Sequence, residues 1–178
     1  MTTSSVAALI AAKMTTTPDF PKPGILFRDL TALMADGDAL RQVTDALLAQ
    51  IPTDVDALVG VEARGFLFAA AAAVSRGIGV YPIRKEGKLP GPLLSETYSL
   101  EYGTATIQLQ PESLAQGSRV YVLDDVLATG GTMAAAIRLL ERAGYVVVGL
   151  GVAIELRGLG GREAVAGYPV HALIELDG

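Results

Sequence analysis

The sequence contains no cysteine and only one histidine among its 178 residues. Without cysteine the chain has no disulfide framework, no thiolate metal site and no thiol nucleophile. The single histidine, His171, lies in a C-terminal strand-like stretch and cannot form a metal site or a catalytic triad without partners. We therefore expect a structural or surface role for His171.

Positive charge is also scarce. The chain has 14 lysines and arginines against 19 aspartates and glutamates, which gives a formal net charge of −5. Nucleic-acid-binding proteins usually present a basic face, so this balance argues against a nucleic-acid partner. It does not argue against a small anionic ligand, because such a ligand needs only a local cluster of positive charge.

The sequence also lacks a long hydrophobic run. The most apolar stretch, GFLFAAAAAV at 65–74, is about half as long as a membrane-spanning helix. The N-terminal MTTSSVAALIAAKM lacks the basic start and the cleavage site of a signal peptide. Ser4 or Ser5 is expected to cap a short helix there. These features predict a cytoplasmic protein with no membrane partner.

The apolar residues change period repeatedly along the chain, as in a protein where strands and helices alternate. Helices are predicted over 38–51 with Asp38 as N-cap, 65–76 ended by Gly77, and 132–144 with Gly144 at its C-cap. Strands are predicted over 57–61, 78–83, 104–110 (exposed on one face), 119–125 (central in the sheet), 145–156 and 170–176. This order predicts an α/β fold with a mainly parallel central sheet flanked by helices, in a single domain over 1–178.

Ligands of such sheets bind at the carboxyl ends of the strands. One strand end runs into VYVLDDVLATGGT, residues 120–132, where a glycine turn precedes a helix and exposes backbone N–H groups suited to phosphate. Asp124 and Asp125 would repel a phosphate unless they bind something else, such as vicinal ribose hydroxyls or a magnesium ion. The stretch therefore predicts a site for ribose 5-phosphate. It is not a Walker A loop, because no lysine follows the glycines.

Two further strand ends carry positive charge. In VEARGF, residues 61–66, Arg64 offers a fork of donors suited to phosphate oxygens at the start of a helix. Arg84, Lys85 and Lys88 form the densest basic cluster of an acidic chain, which favours a polyanionic ligand. The Gly/Pro-rich residues 84–96 predict an irregular loop, and the wider segment 84–103 a mobile lid.

A fourth segment, FPKPGILFRDLTALMAD at 20–36, is held extended by its prolines and glycine. Such a strip can offer backbone donors and acceptors to the edge of a flat base, while Phe27 stacks on the face of the base.

Taken together, these motifs resemble the type I phosphoribosyltransferase family, over roughly residues 18–165. The hydrophobic strand, acidic pair and Ala-Thr-Gly-Gly-Thr of residues 120–132 are similar to the family's phosphoribosyl pyrophosphate (PRPP) motif. The strings FPKPGILFRD, GKLPG, SETYSLEYG and GLGGRE resemble the branch that acts on adenine. The first 17 residues match poorly, so their role stays open.

The resemblance implies how the donor is bound. Asp124 and Asp125 would hold the ribose, and the following loop would hold the 5-phosphate through Ala128, Thr129, Gly130, Gly131 and Thr132. The pyrophosphate would lie on two groups of residues: Glu62, Ala63 and Arg64, with a cis peptide at or near Glu62–Ala63, and Arg84, Lys85 and Lys88. Ala69, where relatives often have glycine, would narrow the space behind this loop.

The resemblance also implies the acceptor site and the chemistry. Adenine would contact the Leu26 backbone and Phe27, with Arg28 nearby, in an N-terminal hood over 1–36. Glu101, next to Tyr102 on the lid, would close over the reacting centre as the catalytic residue. Mg²⁺ would be bridged through the substrate rather than held by a protein cage, and the family's usual state implies a homodimer.

The expected reaction transfers ribose 5-phosphate from PRPP to adenine, giving AMP and pyrophosphate. Two alternatives stay open. The first is a phosphoribosyltransferase for another purine, which would need a donor for a 6-oxo group; no clear candidate stands near the base segment. The second is a non-catalytic PRPP sensor that regulates transcription, for which 17 spare residues are too few to form a helix-turn-helix.

Overall fold

The structure, a computed structural model, describes residues 3–99 and 103–178, apart from the side chains of residues 3 and 4. Six helices lie in these ranges: α1 Thr3–Lys13, α2 Thr31–Met34, α3 Gly37–Leu48, α4 Gly65–Arg76, α5 Gly131–Arg142 and α6 Gly161–Ala164. The strands of the same ranges are β1 Thr15–Pro18, β2 Leu26–Asp29, β3 Ala57–Val61, β4 Gly79–Lys85, β5 Leu94–Ser99, β6 Thr104–Leu109, β7 Arg119–Leu127, β8 Val146–Arg157 and β9 Val170–Asp177.

Seven strands form the central sheet in the order β5-β6-β4-β3-β7-β8-β9. The five strands from β4 to β9 in that order are parallel, and β6 and β5 extend the sheet antiparallel. The predicted mainly parallel sheet is thus confirmed, and β7 lies inside it as predicted. β1 and β2 form a separate antiparallel pair.

The unbroken apolar runs of the inner strands follow from burial on both faces. Along β7, Val120 and Val122 pack into a core with α5, whereas Tyr121 and Leu123 pack into a second core with α3 and α4. Helices therefore cover both faces of the sheet, and the carboxyl ends of the parallel strands open at one edge, where their loops can meet.

Helix α3 begins earlier than predicted. Its N-cap is Asp36, whose Oδ1 accepts hydrogen bonds from the backbone N–H groups of Asp38 and Ala39 at 3.0 and 3.1 Å. The prediction of Asp38 as N-cap was wrong, because Gly37 is already helical and Asp38 lies in the first turn. Helix α4 ends at Gly77 in the left-handed conformation, as predicted (φ +72°). The prediction of Ser4 or Ser5 as the cap of the first helix was also wrong, because α1 already includes Thr3 and both serines lie within it.

The prediction of an irregular loop over 84–96 was wrong at both of its ends. Strand β4 continues to Lys85, and β5 begins at Leu94 and pairs with β6 from Leu94↔Leu109 to Ser99↔Thr104. Exposed and half-buried residues alternate along β5, so one of its faces is exposed, and the strand order places β5 at the edge of the sheet. The second half of β6 is wholly buried, with Ile107 and Leu109 in the core that contains α5, so the predicted exposed face is absent there.

His171 has the structural role expected of it. Its Nδ1 lies 2.9 Å from the hydroxyl of the buried Tyr121, which in turn donates to the carbonyl of Leu150 at 2.8 Å. The alanine-rich helix α4 also packs as expected, since Ala69, Ala72 and Ala73 are buried. No helix among residues 3–99 and 103–178 is long and apolar enough to cross a membrane.

Candidate active site

A cleft of about 580 Å³ opens at the carboxyl ends of β3, β4 and β7. The residues that line it come from the β2 segment, the end of β3 with the loop after it, the end of β4, the β5–β6 hairpin, the end of β7 with the start of α5, and the end of β8: Ile25, Leu26, Phe27, Arg28, Val61, Glu62, Ala63, Arg64, Lys85, Tyr98, Ala105, Ile107, Asp124, Asp125, Val126, Ala128, Thr132 and Leu156. The strand ends singled out in the sequence therefore meet in one place.

The acidic pair lines this cleft, with Asp125 buried and Asp124 half-buried. The side chain of Asp125 is 7% exposed, and its backbone N–H donates to Asp124 Oδ1 at 2.9 Å. Burial and the neighbouring Asp125 charge raise the pKa of Asp124 well above its usual range. Burial also raises the pKa of Asp125, an effect that Arg64 opposes. In the absence of a ligand, this site therefore disfavours two negative charges.

Arg64 connects the acidic pair to the base segment. Its Nε lies 2.7 Å from Asp125 Oδ2, and its guanidinium lies 5.1 Å from the centre of the Phe27 ring. Its Nη1 also donates to the backbone carbonyl of Arg28 at 3.5 Å. One cation therefore contacts the strand that ends in the acids and the segment predicted to bind a base.

The loop between β7 and α5 forms a small anion-sized cavity of about 100 Å³. Gly130 adopts φ +78° and precedes the first turn of α5, where no side chain caps the backbone N–H groups. These N–H groups and the positive end of the helix are free to receive a phosphate. The loop residues named in the sequence all line this cavity: Ala128, Thr129, Gly130, Gly131 and Thr132.

The loop after β3 is held against the end of β4. The Glu62–Ala63 peptide bond is cis, as the family resemblance implies. Glu62 Oε2 accepts a hydrogen bond from the Lys85 N–H at 2.8 Å and lies 3.3 Å from Arg84 Nε. Burial alone would raise the pKa of Glu62, but these two contacts outweigh it and hold that pKa below its usual range.

The three residues of the basic cluster take different positions. Lys85 lines the cleft. Arg84 is drawn to Glu62 and lies 5.8 Å over the ring of Phe66, while its Nη1 donates to the Lys88 carbonyl at 3.3 Å. Arg84 and Lys88 are not among the lining residues, so the cluster is less convergent than its sequence spacing predicts.

The base segment places Phe27 at the cleft wall, edge-on to Phe20 with ring centres 5.1 Å apart. Arg28 Nη2 donates to the Asp177 carbonyl at 3.1 Å, and its buried Nε has no hydrogen-bond partner. Arg28 therefore joins the β1–β2 segment to the C-terminal strand β9.

Two residues that shape the cleft, Leu156 and Tyr98, are not among those predicted from the sequence. Leu156 lies near the end of β8 and adds an apolar surface to the cleft. Applying the strand-end rule to β8 would have found it. Tyr98 lies on β5, and its hydroxyl accepts a hydrogen bond from Thr132 Oγ1 at 3.1 Å. No local pattern in the sequence indicates that contact, because it joins segments that are 34 residues apart. Glu101 and Tyr102 lie outside the described residues.

A second glycine turn supports the phosphate loop from behind. A Cβ placed on Gly161 would lie 2.4 Å from the Ala128 carbonyl, and a Cβ on Gly130 would lie 2.6 Å from the Gly161 carbonyl. The two turns therefore pack backbone against backbone, which only glycine permits. This contact gives the GLGGRE string a structural purpose.

The turn that contains Gly161 is anchored by a two-pronged ion pair. Arg162 donates from Nε and Nη2 to the two oxygens of Glu155 at 2.7 and 2.6 Å, and from Nη1 to the Val170 carbonyl at 3.3 Å. Glu155 is only 6% exposed. Such a fork fixes both distance and orientation.

Arg162→Ala is expected to lower the free energy of unfolding by about 2–4 kcal/mol, because it leaves a buried carboxylate without its counter-charge. Urea denaturation at neutral pH measures the effect. Arg157→Ala is the matched control: its carboxylate partners Asp177 and Glu175 are exposed, so the expected loss is below about 1 kcal/mol. Equal losses for the two variants would contradict this explanation.

Ala69 of α4 packs against β3, close to the loop of residues 62–64. It is fully buried, and its Cβ would lie 3.0 Å from a Cβ placed on Gly60 of β3. Helix α4 therefore lies close to β3, with Gly60 providing the room that Ala69 takes.

Comparison with known proteins agrees with this geometry. Residues 29–172 match the model of the phosphoribosyl transferase domain, and the chain therefore belongs to the phosphoribosyl transferase family. Relatives with high identity to this chain are named adenine phosphoribosyltransferase. The protein of that name from Clavibacter sepedonicus is 60% identical over 97% of this chain and 90% of its own length. Its counterpart from Clavibacter michiganensis subsp. michiganensis is 62% identical over 94% and 95%.

Solved structures agree. The crystal structure of adenine phosphoribosyltransferase from Rhodothermus marinus is 43% identical and superposes with a TM-score of 0.91, covering 97% of this chain and 99% of that one. The enzyme from Saccharomyces cerevisiae, crystallised with adenine and an imino-altritol bisphosphate, is 34% identical with a TM-score of 0.88, over 96% and 99% of the two chains. The predicted type I phosphoribosyltransferase fold is confirmed.

Proposed function

We infer that the protein transfers ribose 5-phosphate from PRPP to adenine, releasing AMP and pyrophosphate in purine salvage. The observation that carries this function is the pair Asp124–Asp125, the first half-buried and the second buried, beside an uncapped glycine loop at a strand end. A ligand that suits both features must combine vicinal hydroxyls with a phosphate. The relatives named adenine phosphoribosyltransferase support the choice of acceptor.

We propose that PRPP is bound at both of its ends, the 5-phosphate and the pyrophosphate. The 5-phosphate takes the N–H groups of residues 128–132, and the ribose hydroxyls form hydrogen bonds with Asp124 and Asp125. The pyrophosphate lies against the 62–64 loop and Lys85. Arg64, now paired with Asp125, would have to share its donors with the pyrophosphate, while Arg84 and Lys88 would act from the rim of the cleft.

For the acceptor, we propose that residues 1–36 form a hood in which the base lies against Phe27, with hydrogen bonds to the Leu26 backbone. Leu156 offers a second apolar surface in the same cleft. Arg28 lines the same cleft near the base, and through its bond to Asp177 it would also hold the hood in place. Strand β5 lies within the lid proposed over 84–103, and the whole chain forms one domain over 1–178.

In this reaction the protein positions the substrates and stabilises charge, and it does not have to supply a nucleophile. The C1–O bond to pyrophosphate breaks as the bond from N9 of adenine to C1 forms, and the sugar carries positive charge in between. Basic residues of the cleft stabilise the leaving pyrophosphate. The proton of N9 leaves to a base, for which Glu101 is our candidate.

Magnesium suits this site as a shared ion. Mg²⁺ usually takes one or two protein carboxylates together with waters and substrate phosphates. Among residues 3–99 and 103–178, no group of three or more His, Cys, Asp or Glu side chains could hold a metal. In the acidic pair, Asp125 Oδ2 is ion-paired with Arg64 Nε at 2.7 Å, so a metal bound to this oxygen would have to displace Arg64. When bound, the ion would neutralise charge on the donor's pyrophosphate.

We also propose a homodimer. Leu67 and Val74 lie two turns apart on one face of α4, where Val74 is 83% exposed, and Val80 on the adjoining β4 is exposed as well. A second copy of this chain would cover the apolar face, which lies next to the proposed pyrophosphate loop of residues 62–64. Sedimentation equilibrium that finds only monomer would exclude this assembly. The cytoplasmic location stays a prediction from the sequence.

Glu101→Gln is expected to lower kcat by about 10–100-fold while the KM values for PRPP and adenine stay within about threefold, because a group that handles the N9 proton acts in the transition state. Steady-state kinetics measure both. Glu112→Gln, at an exposed turn after β6, is the control for loss of a carboxylate. Unchanged turnover in Glu101→Gln would remove this residue from the chemistry.

The test of the function is incubation with PRPP, Mg²⁺ and one purine at a time, following both nucleotide and pyrophosphate. We expect AMP from adenine and negligible nucleotide from hypoxanthine, guanine or xanthine. A non-catalytic sensor would bind PRPP and release no pyrophosphate with any base. That result would contradict the proposed enzymatic activity.

A further inference from the structure

An ion-pair cluster outside the cleft joins the β5 strand to helix α5. Glu96 of β5 receives Arg138 Nε on one oxygen at 2.6 Å and Arg142 Nη1 on the other at 2.8 Å. The same Arg142 nitrogen donates to the Ser95 carbonyl at 2.9 Å. The Glu96 side chain is 16% exposed, although it belongs to an edge strand. Two arginines on successive turns of one helix thus converge on a single carboxylate.

A second contact joins the same two elements at the cleft itself. Thr132 Oγ1, in the first turn of α5, donates to the Tyr98 hydroxyl at 3.1 Å. A Cβ on Gly131 would lie 3.3 Å from the Ser99 carbonyl. The β5 strand therefore runs beside α5 from its C-terminal half, at Glu96, to the phosphate loop at its N-terminus.

The position of β5 determines one wall of the cleft. Tyr98, Ala105 and Ile107 of the β5–β6 hairpin line the cleft together with Thr132. Among the strands of residues 3–99 and 103–178, β5 is the outermost, and its one strand partner there is β6. The side chains that hold the hairpin against the phosphate loop are therefore those that reach α5.

From these contacts we propose that Glu96 is a positioning residue that latches the β5–β6 hairpin to α5 and so sets the width of the donor-phosphate site. The inference rests on the proposed function, because it assigns the site to the donor's 5-phosphate. Glu96 itself touches no substrate. It acts through Tyr98 and Thr132, which form the wall and the loop.

The test is Glu96→Gln, which keeps the shape of the side chain and removes its charge. We expect KM for PRPP to rise about 5–10-fold, with kcat and the KM for adenine within about twofold, because the latch acts on the donor site and not on the reacting atoms. A variant that merely unfolds in part would lower the apparent kcat in proportion to the folded fraction and leave KM unchanged. That result, or an unchanged KM for PRPP, would overturn the proposal.

Asp54→Asn is the matched control, since Asp54 forms a 2.9 Å ion pair with Arg119 on the surface and its loss changes the net charge by the same amount. Its KM for PRPP should equal that of the wild type. Tyr98→Phe, which removes the hydroxyl near the cleft, should weaken PRPP binding as well. In the double variant with Glu96→Gln, the two effects should fall short of the sum of the singles, because both residues hold one strand. Full additivity would contradict a shared latch.

Calorimetric titration with ribose 5-phosphate separates the two levels of inference. If the wild type fails to bind this ligand, the proposed function fails. If the wild type binds it and Glu96→Gln binds it equally well, the function stands and the latch is refuted. We expect the wild type to bind and the variant to bind several-fold more weakly.

Discussion

Gly65→Ala is expected to lower kcat/KM for PRPP by about 100-fold or more, since displacing a positioning element by about 1 Å can cost that much. A Cβ at this position would lie 2.6 Å from the Leu123 carbonyl and 2.9 Å from Asp124 Oδ1. Neither atom can move easily, because the Leu123 carbonyl belongs to the backbone of an inner strand and Asp124 belongs to the proposed ribose site. The start of α4, with the loop that precedes it, would have to move away from β7.

That movement would separate the two halves of the donor site. Arg64 precedes Gly65 and lies 2.7 Å from Asp125 across the same interface. Pushing the helix start outward therefore displaces a proposed pyrophosphate residue from the acids that hold the ribose. Steady-state kinetics at varied PRPP measure the loss, and circular dichroism verifies that the variant is folded.

Gly37→Ala is the control for this substitution. Gly37 also lies in the first turn of a helix, has no atom within 4 Å of an added Cβ, and does not have a positive φ. We expect wild-type kinetics from it. If Gly65→Ala is folded and its kcat/KM for PRPP lies within about threefold of the wild type, close packing of these two loops is not required for donor binding.

Asp124→Asn is expected to have two opposite effects. Affinity for PRPP should fall by about 30-fold or more, because a carboxylate acceptor for the ribose hydroxyls is lost. The midpoint of thermal unfolding of the free protein should rise, because the folded state no longer has to bury a charge beside Asp125. Asparagine Oδ1 can still accept the Asp125 N–H, so the local backbone keeps its hydrogen bond.

The pH dependence of this gain has a definite sign. The pKa of Asp124 is raised in the folded state, so its protonation stabilises the fold below the ordinary aspartate pKa of about 3.9 and that contribution is lost as pH rises through the raised value. At neutral pH the wild type has lost at least part of this stabilisation by protonated Asp124. The advantage of Asp124→Asn should therefore grow from about pH 4 upward. Thermal melts at several pH values test this, and a variant less stable than the wild type at neutral pH would contradict it.

Asp125→Asn provides the contrast. Burial raises the pKa of Asp125 too, but the Arg64 charge opposes that shift. Replacing Asp125 with asparagine leaves Arg64 without the carboxylate at 2.7 Å. The gain in stability should therefore be smaller than for Asp124→Asn. Affinity for PRPP should fall in both variants. Equal PRPP affinity in Asp125→Asn and the wild type would count against its ribose role.

The parts of the site that follow single strands are predictable from the sequence. The apolar run that precedes Asp124 predicts an inner strand. Because the carboxyl ends of parallel strands open at one edge of a sheet, the same pattern also predicts that Glu62, Arg64 and the acidic pair lie close together. Residues 128–132 line their cavity as expected, because a glycine turn between a strand and a helix has few other geometries.

The parts that the sequence could not predict depend on contacts between distant segments. Lys88 was grouped with Arg84 and Lys85 by spacing, yet β4 runs through Lys85 and the chain turns after it, so Lys88 is not among the residues that line the cleft. Tyr98 and Glu96 fall in the segment predicted to be a lid, and only the pairing of β5 with β6 directs them at α5.

A single competition assay tests the proposed reaction and its acceptor together. Limiting PRPP with Mg²⁺ is offered to equal concentrations of adenine, hypoxanthine and guanine, and the nucleotides are separated and counted against the pyrophosphate released. We expect AMP as essentially the only nucleotide, with one pyrophosphate for each AMP. Formation of IMP or GMP in comparable amount, or release of pyrophosphate without any nucleotide, would contradict the proposed function.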